Sequence, residues 1–167
     1  MLARVRGWRP TARLDDGTGY TFIELLVVTF MIMILASAAL PIARVSIKRQ
    51  RENELRHDLL EMRTAIDKFH DLADVGRIAT TELSGTSHYP SSLDQLVQGV
   101  TFQGDPSGNK YKFLRRIPID PMTGGTDWGL RSFEDSPDSK SWGGQDVYDV
   151  YSKAEGKALD GTKYRDW

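Results

Sequence analysis

The periodicity of apolar and polar positions changes twice along this chain. Residues 22–43 are apolar except for a few small or polar positions and one acid, Glu24, and residues 25–43 carry no charged side chain at all. A helix through that charge-free run, at about 1.5 Å per residue, reaches roughly 28 Å, the thickness of one bilayer core. Farther along, Leu55, Leu59, Met62, Ile66, Phe69 and Ala73 recur at alternating steps of four and three, with Leu60 and Leu72 beside them. This is the period of a helix with one buried face. Arg56, Asp58, Glu61, Arg63, Asp67 and Lys68 fill the polar remainder, and Gly76 ends the run. The stripe covers only about three heptads, short for a self-standing coiled coil, so it is read as packing on its own domain. Together the segments predict one long helix, apolar over residues 20–43 and amphipathic over residues 44–75.

The remaining residues, 76–167, read as a small globular part. Residues 77–88 are polar and small, a loop. Tyr89-Pro90 leads into Ser91-Ser92-Leu93-Asp94-Gln95-Leu96-Val97, where Ser92 and Gln95 have the spacing of a capping box and Gly99 can close the short helix. Pro118 and Pro121 hold the stretch 114–121 extended. Two strands are expected, one over residues 128–133 and one over residues 147–152, the second rich in β-branched and aromatic residues and preceded by Gly143-Gly144. The fold class is α+β: a long N-terminal helix packed on a small antiparallel sheet.

Composition narrows the function. The formal net charge is −1 over 167 residues, so no global basic field recruits nucleic acid and none is expected as a partner. The chain contains no cysteine, which removes disulfides and thiolate metal sites. His57, His70 and His88 lack a ligand-like spacing and read as surface or satisfied residues. There is no G-x-S-x-G, no H-E-x-x-H and no phosphate-binding loop, and the paired acids Glu134 and Asp135 fall in a polar loop, so the chain is not read as an enzyme.

Arg4, Arg6, Arg9 and Arg13, against Asp15 and Asp16, make the first 19 residues basic. The apolar run behind them is too long for a secretory signal core and is followed by no small-residue cleavage site, so it stays with the protein as an anchor. Arg44, Lys48, Arg49 and Arg51 follow it, and a count of positive charges on the two sides leaves the orientation open. These four cations suit lipid phosphates or acidic neighbours, and equally a solvated helix face.

Gly19-Tyr20-Thr21-Phe22-Ile23-Glu24-Leu25 places a glycine at the end of the basic leader and one acid just inside the apolar run. A lone carboxylate at membrane depth costs about 2.5–3.5 kcal/mol at a helix centre, so Glu24 should have a partner. The segment resembles the precursor signature of the type IV pilin and type II secretion pseudopilin family. That resemblance implies cleavage of leader 1–19 after Gly19 and methylation of the new amino terminus at Tyr20 by a prepilin peptidase. Tyr20 stands where the family usually has phenylalanine. It also implies that Glu24 attracts the N-terminal amine of a neighbouring subunit in a filament, and that Pro41 bends or locally melts the anchor helix. Tyr89-Pro90, the segment Leu114-Arg115-Arg116-Ile117-Pro118-Ile119-Asp120-Pro121 and Asp149-Val150-Tyr151-Ser152 are similar to features of the major pseudopilins.

The same resemblance implies a pilin-like fold. It also implies a calcium-binding C-terminal loop, for which Ser152, Glu155, Asp160 and main-chain carbonyls are the candidate ligands. Calcium takes six to eight oxygens, whereas Lys153, Lys157 and Lys163 intrude on this loop. The other reading is a metal-free loop, with Asp160-Gly161 a turn and Trp167 a packing anchor; no cofactor is required. The implied function is a structural subunit of a periplasmic pseudopilus, anchored by one span in a bacterial inner membrane. Its implied partners are other copies of itself, minor pseudopilins, the prepilin peptidase, the inner-membrane assembly platform and membrane lipid. A type IV pilus subunit for adhesion, motility or DNA uptake is the alternative. A plain membrane-anchored binding domain, its leader uncut, is the third.

Overall fold

The computed structural model describes residues 19–83 and 85–167, the side chains of Ala38 and Leu40 apart. The basic leader, but for Gly19, therefore lies outside the described residues. The chain divides into two compact units at Ile42 and Ala43, and one helix, α1 (Phe22–Asp74), contributes to both.

In the first unit Thr21 begins the helix: its hydroxyl accepts the Glu24 amide at 3.3 Å, and its carbonyl accepts the Leu25 amide at 3.1 Å. Thr21 and Glu24 thus occupy the N-cap and third helical positions, the spacing of a capping box. The hydroxyls inside the run bond to their own helix, Thr29 to the Leu25 carbonyl at 2.9 Å and Ser37 to the Ile34 carbonyl at 2.7 Å. Both hydroxyls of the charge-free run are thereby satisfied within the helix. Pro41 lacks the amide that would bond the Ser37 carbonyl, and α1 is helical on both sides of it.

In the second unit all six stripe residues of α1 are buried, in one core cluster with Ile78, Leu93, Leu96, Val100, Leu114, Trp128, Val147 and Val150. Leu72 is partly buried against it, whereas Leu60 is exposed. α1 gives way to a turn at Gly76, where φ is +68° and the amide bonds back to Ala73. Residues 77–88 are not simply a polar loop: Ile78 belongs to the core and bridges Phe102, and Thr80–Glu82 form a 3-10 turn.

The short helix α2 (Leu93–Gln98) starts at Ser92, whose hydroxyl accepts the Gln95 amide at 3.4 Å. The return arm differs from a reciprocal capping box. The Gln95 carbonyl oxygen accepts from the Ser91 amide, and its amino group donates to the Glu82 carbonyl at 2.6 Å. Gly99 closes α2 at φ +82°, and a Cβ there would lie 2.6 Å from the Tyr111 carbonyl oxygen, a space only glycine tolerates.

Among the described residues the antiparallel β-structure consists of two two-stranded ribbons. β1 (Val100–Thr101) pairs with β2 (Lys110–Tyr111), and β3 (Gly129–Arg131) with β4 (Asp149–Tyr151) in the register Leu130 to Val150. The second ribbon falls within the two expected strands and is shorter than either. β3 stops at Arg131 because the next two amides, of Ser132 and Phe133, donate to the carboxylates of Asp135 and Asp146 instead of to a strand. The Val147 amide goes to the Pro90 carbonyl at 2.7 Å, which ties β4 to the Tyr89-Pro90 corner.

Candidate functional site

Gly19 and Tyr20 stand just ahead of α1, and Glu24 lies in its first turn. All three are exposed, and a Cβ on Gly19 would meet nothing within 4 Å. Glu24 lies in the first helical turn, where unpaired amides and the positive end of the helix dipole favour a carboxylate. Among the described residues no ion pair reaches it. From Val27 at 43 % to Phe22 at 83 %, every large apolar side chain from Phe22 to Leu35 is exposed. The first part of α1 is long and apolar enough to cross a membrane, and none of its apolar window is buried in the described chain. A helix apolar on all sides requires lipid or other helices around it.

The three candidate calcium ligands do not form a ligand set. Ser152 is wholly buried; its hydroxyl donates to Asp120 at 2.6 Å and accepts the Ala154 amide at 3.1 Å. Asp160 accepts from Thr162, both amide and hydroxyl, with one oxygen and from Arg56 at 3.0 Å with the other. The Thr162 hydroxyl first, then its amide and the Arg56 guanidinium, hold the Asp160 carboxyl below its ordinary range. Glu155 is exposed in a cleft of about 420 Å³ lined also by Lys140, Lys153, Lys163 and Arg165. Among the described residues no three His, Asp or Glu side chains gather to hold a metal ion. These donors do not fit calcium, which needs several carboxylate oxygens on one point.

What organises the loop is a set of α1 side chains that the sequence pattern did not single out. Glu52 is buried; the same oxygen accepts the Leu159 amide and the Tyr164 hydroxyl, each at 2.9 Å. Burial, then the hydrogen bond and charge of Glu52, push the Tyr164 phenol up to about 12, so it stays a donor. Arg63 donates to Asp149 at 2.7 Å and to the main-chain oxygens of Val150 and Trp167, and Arg131 reaches the other Asp149 oxygen at 3.0 Å. Asp149 of the D-V-Y-S segment therefore joins α1 to the β3–β4 ribbon. Trp167 is half-buried, with Arg56 over its ring at 4.1 Å and its indole donating to Thr162.

Two histidines also have a defined place. His88 Nδ1 lies 2.6 Å from Asp74, and His70 Nδ1 lies 3.7 Å from the other oxygen of the same carboxylate. The His88 hydrogen bond is the main cause lowering the Asp74 carboxyl. His70 stacks on Tyr89, which packs with Phe133 and Tyr148.

Comparisons with protein-family models, with curated proteins and with solved structures found no match for this chain.

Proposed function

We propose that this chain is a structural subunit of a type II secretion pseudopilus, cut between Gly19 and Tyr20 and polymerised through the apolar half of α1. The observation that carries the reading is the exposure of every large apolar side chain from Phe22 to Leu35 behind a Gly19-Tyr20 junction with a single acid in the first turn. Before assembly the bilayer covers this surface. In a filament, neighbouring α1 helices cover it, and Glu24 gains the amine of an adjacent Tyr20. The pilin-like fold and the periplasmic placement of the second unit belong to the same proposal. So do the remaining partners: minor pseudopilins, prepilin peptidase, the assembly platform and lipid.

One observation favours a second reading. Glu24 is the acid of the first turn of α1, where the positive end of the helix dipole favours a carboxylate, a local role that any membrane anchor could use and that would make the chain a plain anchored domain. Mass analysis of the mature N-terminus, with and without the peptidase, separates the two. The filament reading expects a chain starting at a methylated Tyr20, with Gly19→Val left uncut. An intact leader in peptidase-positive cells would reject it.

A further inference from the structure

We infer that Lys48, Glu52, Arg56 and Arg63 form a side-chain latch that fastens residues 157–167 to α1 without calcium. Their spacing of four, four and seven puts them on one side of the helix. Each has a separate purchase on the loop. Lys48 donates to the Lys157 carbonyl at 2.7 Å. Glu52 takes the Leu159 amide and the Tyr164 hydroxyl. Arg56 takes Asp160 and covers Trp167, and Arg63 takes the Trp167 main-chain oxygen at 2.7 Å.

Glu52 is the centre of the device. A buried carboxylate is tolerated only when its oxygens are satisfied, and both of its close donors come from the loop, with Lys48 farther off at 3.9 Å. Loop and helix therefore need one another: releasing the loop strips Glu52 of its partners, and removing Glu52 orphans the buried Tyr164 hydroxyl. Inside the loop, the Ala158 amide bonds the Thr162 carbonyl at 2.8 Å and Asp160 bonds Thr162, closing a tight turn around Gly161 at φ +89°. Two of the three candidate side-chain donors for a cation are already engaged, Asp160 by Thr162 and Arg56 and the Ser152 hydroxyl by Asp120, and the third, Glu155, lines a cleft with three lysines and an arginine. The latch supplies fixed positive groups from α1 where a calcium loop would rely on a diffusible one. It stands whether or not the chain polymerises.

Limited trypsin digestion of the unassembled full chain in detergent tests it, with cutting after Lys157 and Lys163 followed by mass spectrometry. Both lysines are exposed, so cutting is limited by opening of the loop. The wild type is expected to be cut at the same slow rate in a calcium chelator and in millimolar calcium. Glu52→Ala is expected to speed cutting at these two sites by roughly tenfold or more in both buffers, with Glu52→Gln, which keeps one acceptor, in between. If Glu52→Ala unfolds the whole second unit, seen as cutting after Arg77 as well, Tyr164→Phe carries the same test with a smaller increase. Faster cutting of the wild type in chelator, or unchanged rates in the variants, would overturn the latch.

Discussion

Ser152 and Asp120, both wholly buried, are joined by a 2.6 Å hydrogen bond from the hydroxyl to the carboxylate. The other Asp120 oxygen accepts the Met122 amide at 2.8 Å and the Thr123 amide at 3.4 Å. One carboxylate thereby ties the proline-bounded segment 114–121 to the residue that follows β4. Two features read separately along the chain, the D-P step and the D-V-Y-S strand, are halves of one contact.

Asp120→Ala should accordingly be among the most damaging single changes in the second unit. It orphans a buried hydroxyl and two turn amides, at about 3 kcal/mol or more. Ser152→Ala removes a hydrogen bond to a charged acceptor and should cost about 1.5–3 kcal/mol. Chemical denaturation of the two variants checks the order, which equal and small losses would contradict.

The Tyr164–Glu52 contact makes an alkaline prediction. The folded phenol titrates at about 12, above its unfolded value near 10, so the folded state holds its proton more tightly. The contribution to stability is then complete below about pH 10 and falls as pH rises toward about 12. Tyr164→Phe should be less stable than the wild type at neutral pH, by about 1 kcal/mol, and should lack this part of the alkaline decline. Denaturation curves across that range measure both effects.

Residues 43–167 form a compact unit with its own core, so a fragment starting at Arg44 should be soluble, folded and monomeric in sedimentation. If it polymerised as readily as the mature chain, the apolar half of α1 would not be the main interface.

How much of this was legible depended on range. The steps of four and three from Leu55 to Ala73 identified the buried face of α1, because helical period and burial are the same geometry. Ser92 and Gly99 marked the ends of α2 for equally local reasons. Glu52 is not legible in the sequence, although it extends the same stripe by one step of three from Leu55: an acid at an apolar register looks like surface charge until its donors, more than a hundred residues away, are seen. β1 and β2, two residues each, are too short for alternation to appear. Ile78 was hidden in a polar stretch. His70 and His88 meet at Asp74 only because the chain turns back at Gly76. The calcium reading came from the family resemblance, carried by the glycines and the terminal tryptophan of a tail sparse in acids, and in the structure Ser152 and Asp160 make internal contacts.

The central claim is that α1 assembles copies of this chain and that Glu24 supplies a force existing only in the assembly. Glu24→Gln keeps the shape and hydrogen-bonding capacity of the first turn but loses the charge, whereas Glu24→Leu also eases membrane insertion. Breaking a buried opposite-charge pair costs about 3–5 kcal/mol where it has been removed from one side, enough to abolish a repeated contact. The direct measurement is filament yield against membrane abundance for the wild type and both variants. The account predicts both variants abundant in the membrane and without filaments, and normal filaments from Glu24→Leu would contradict it.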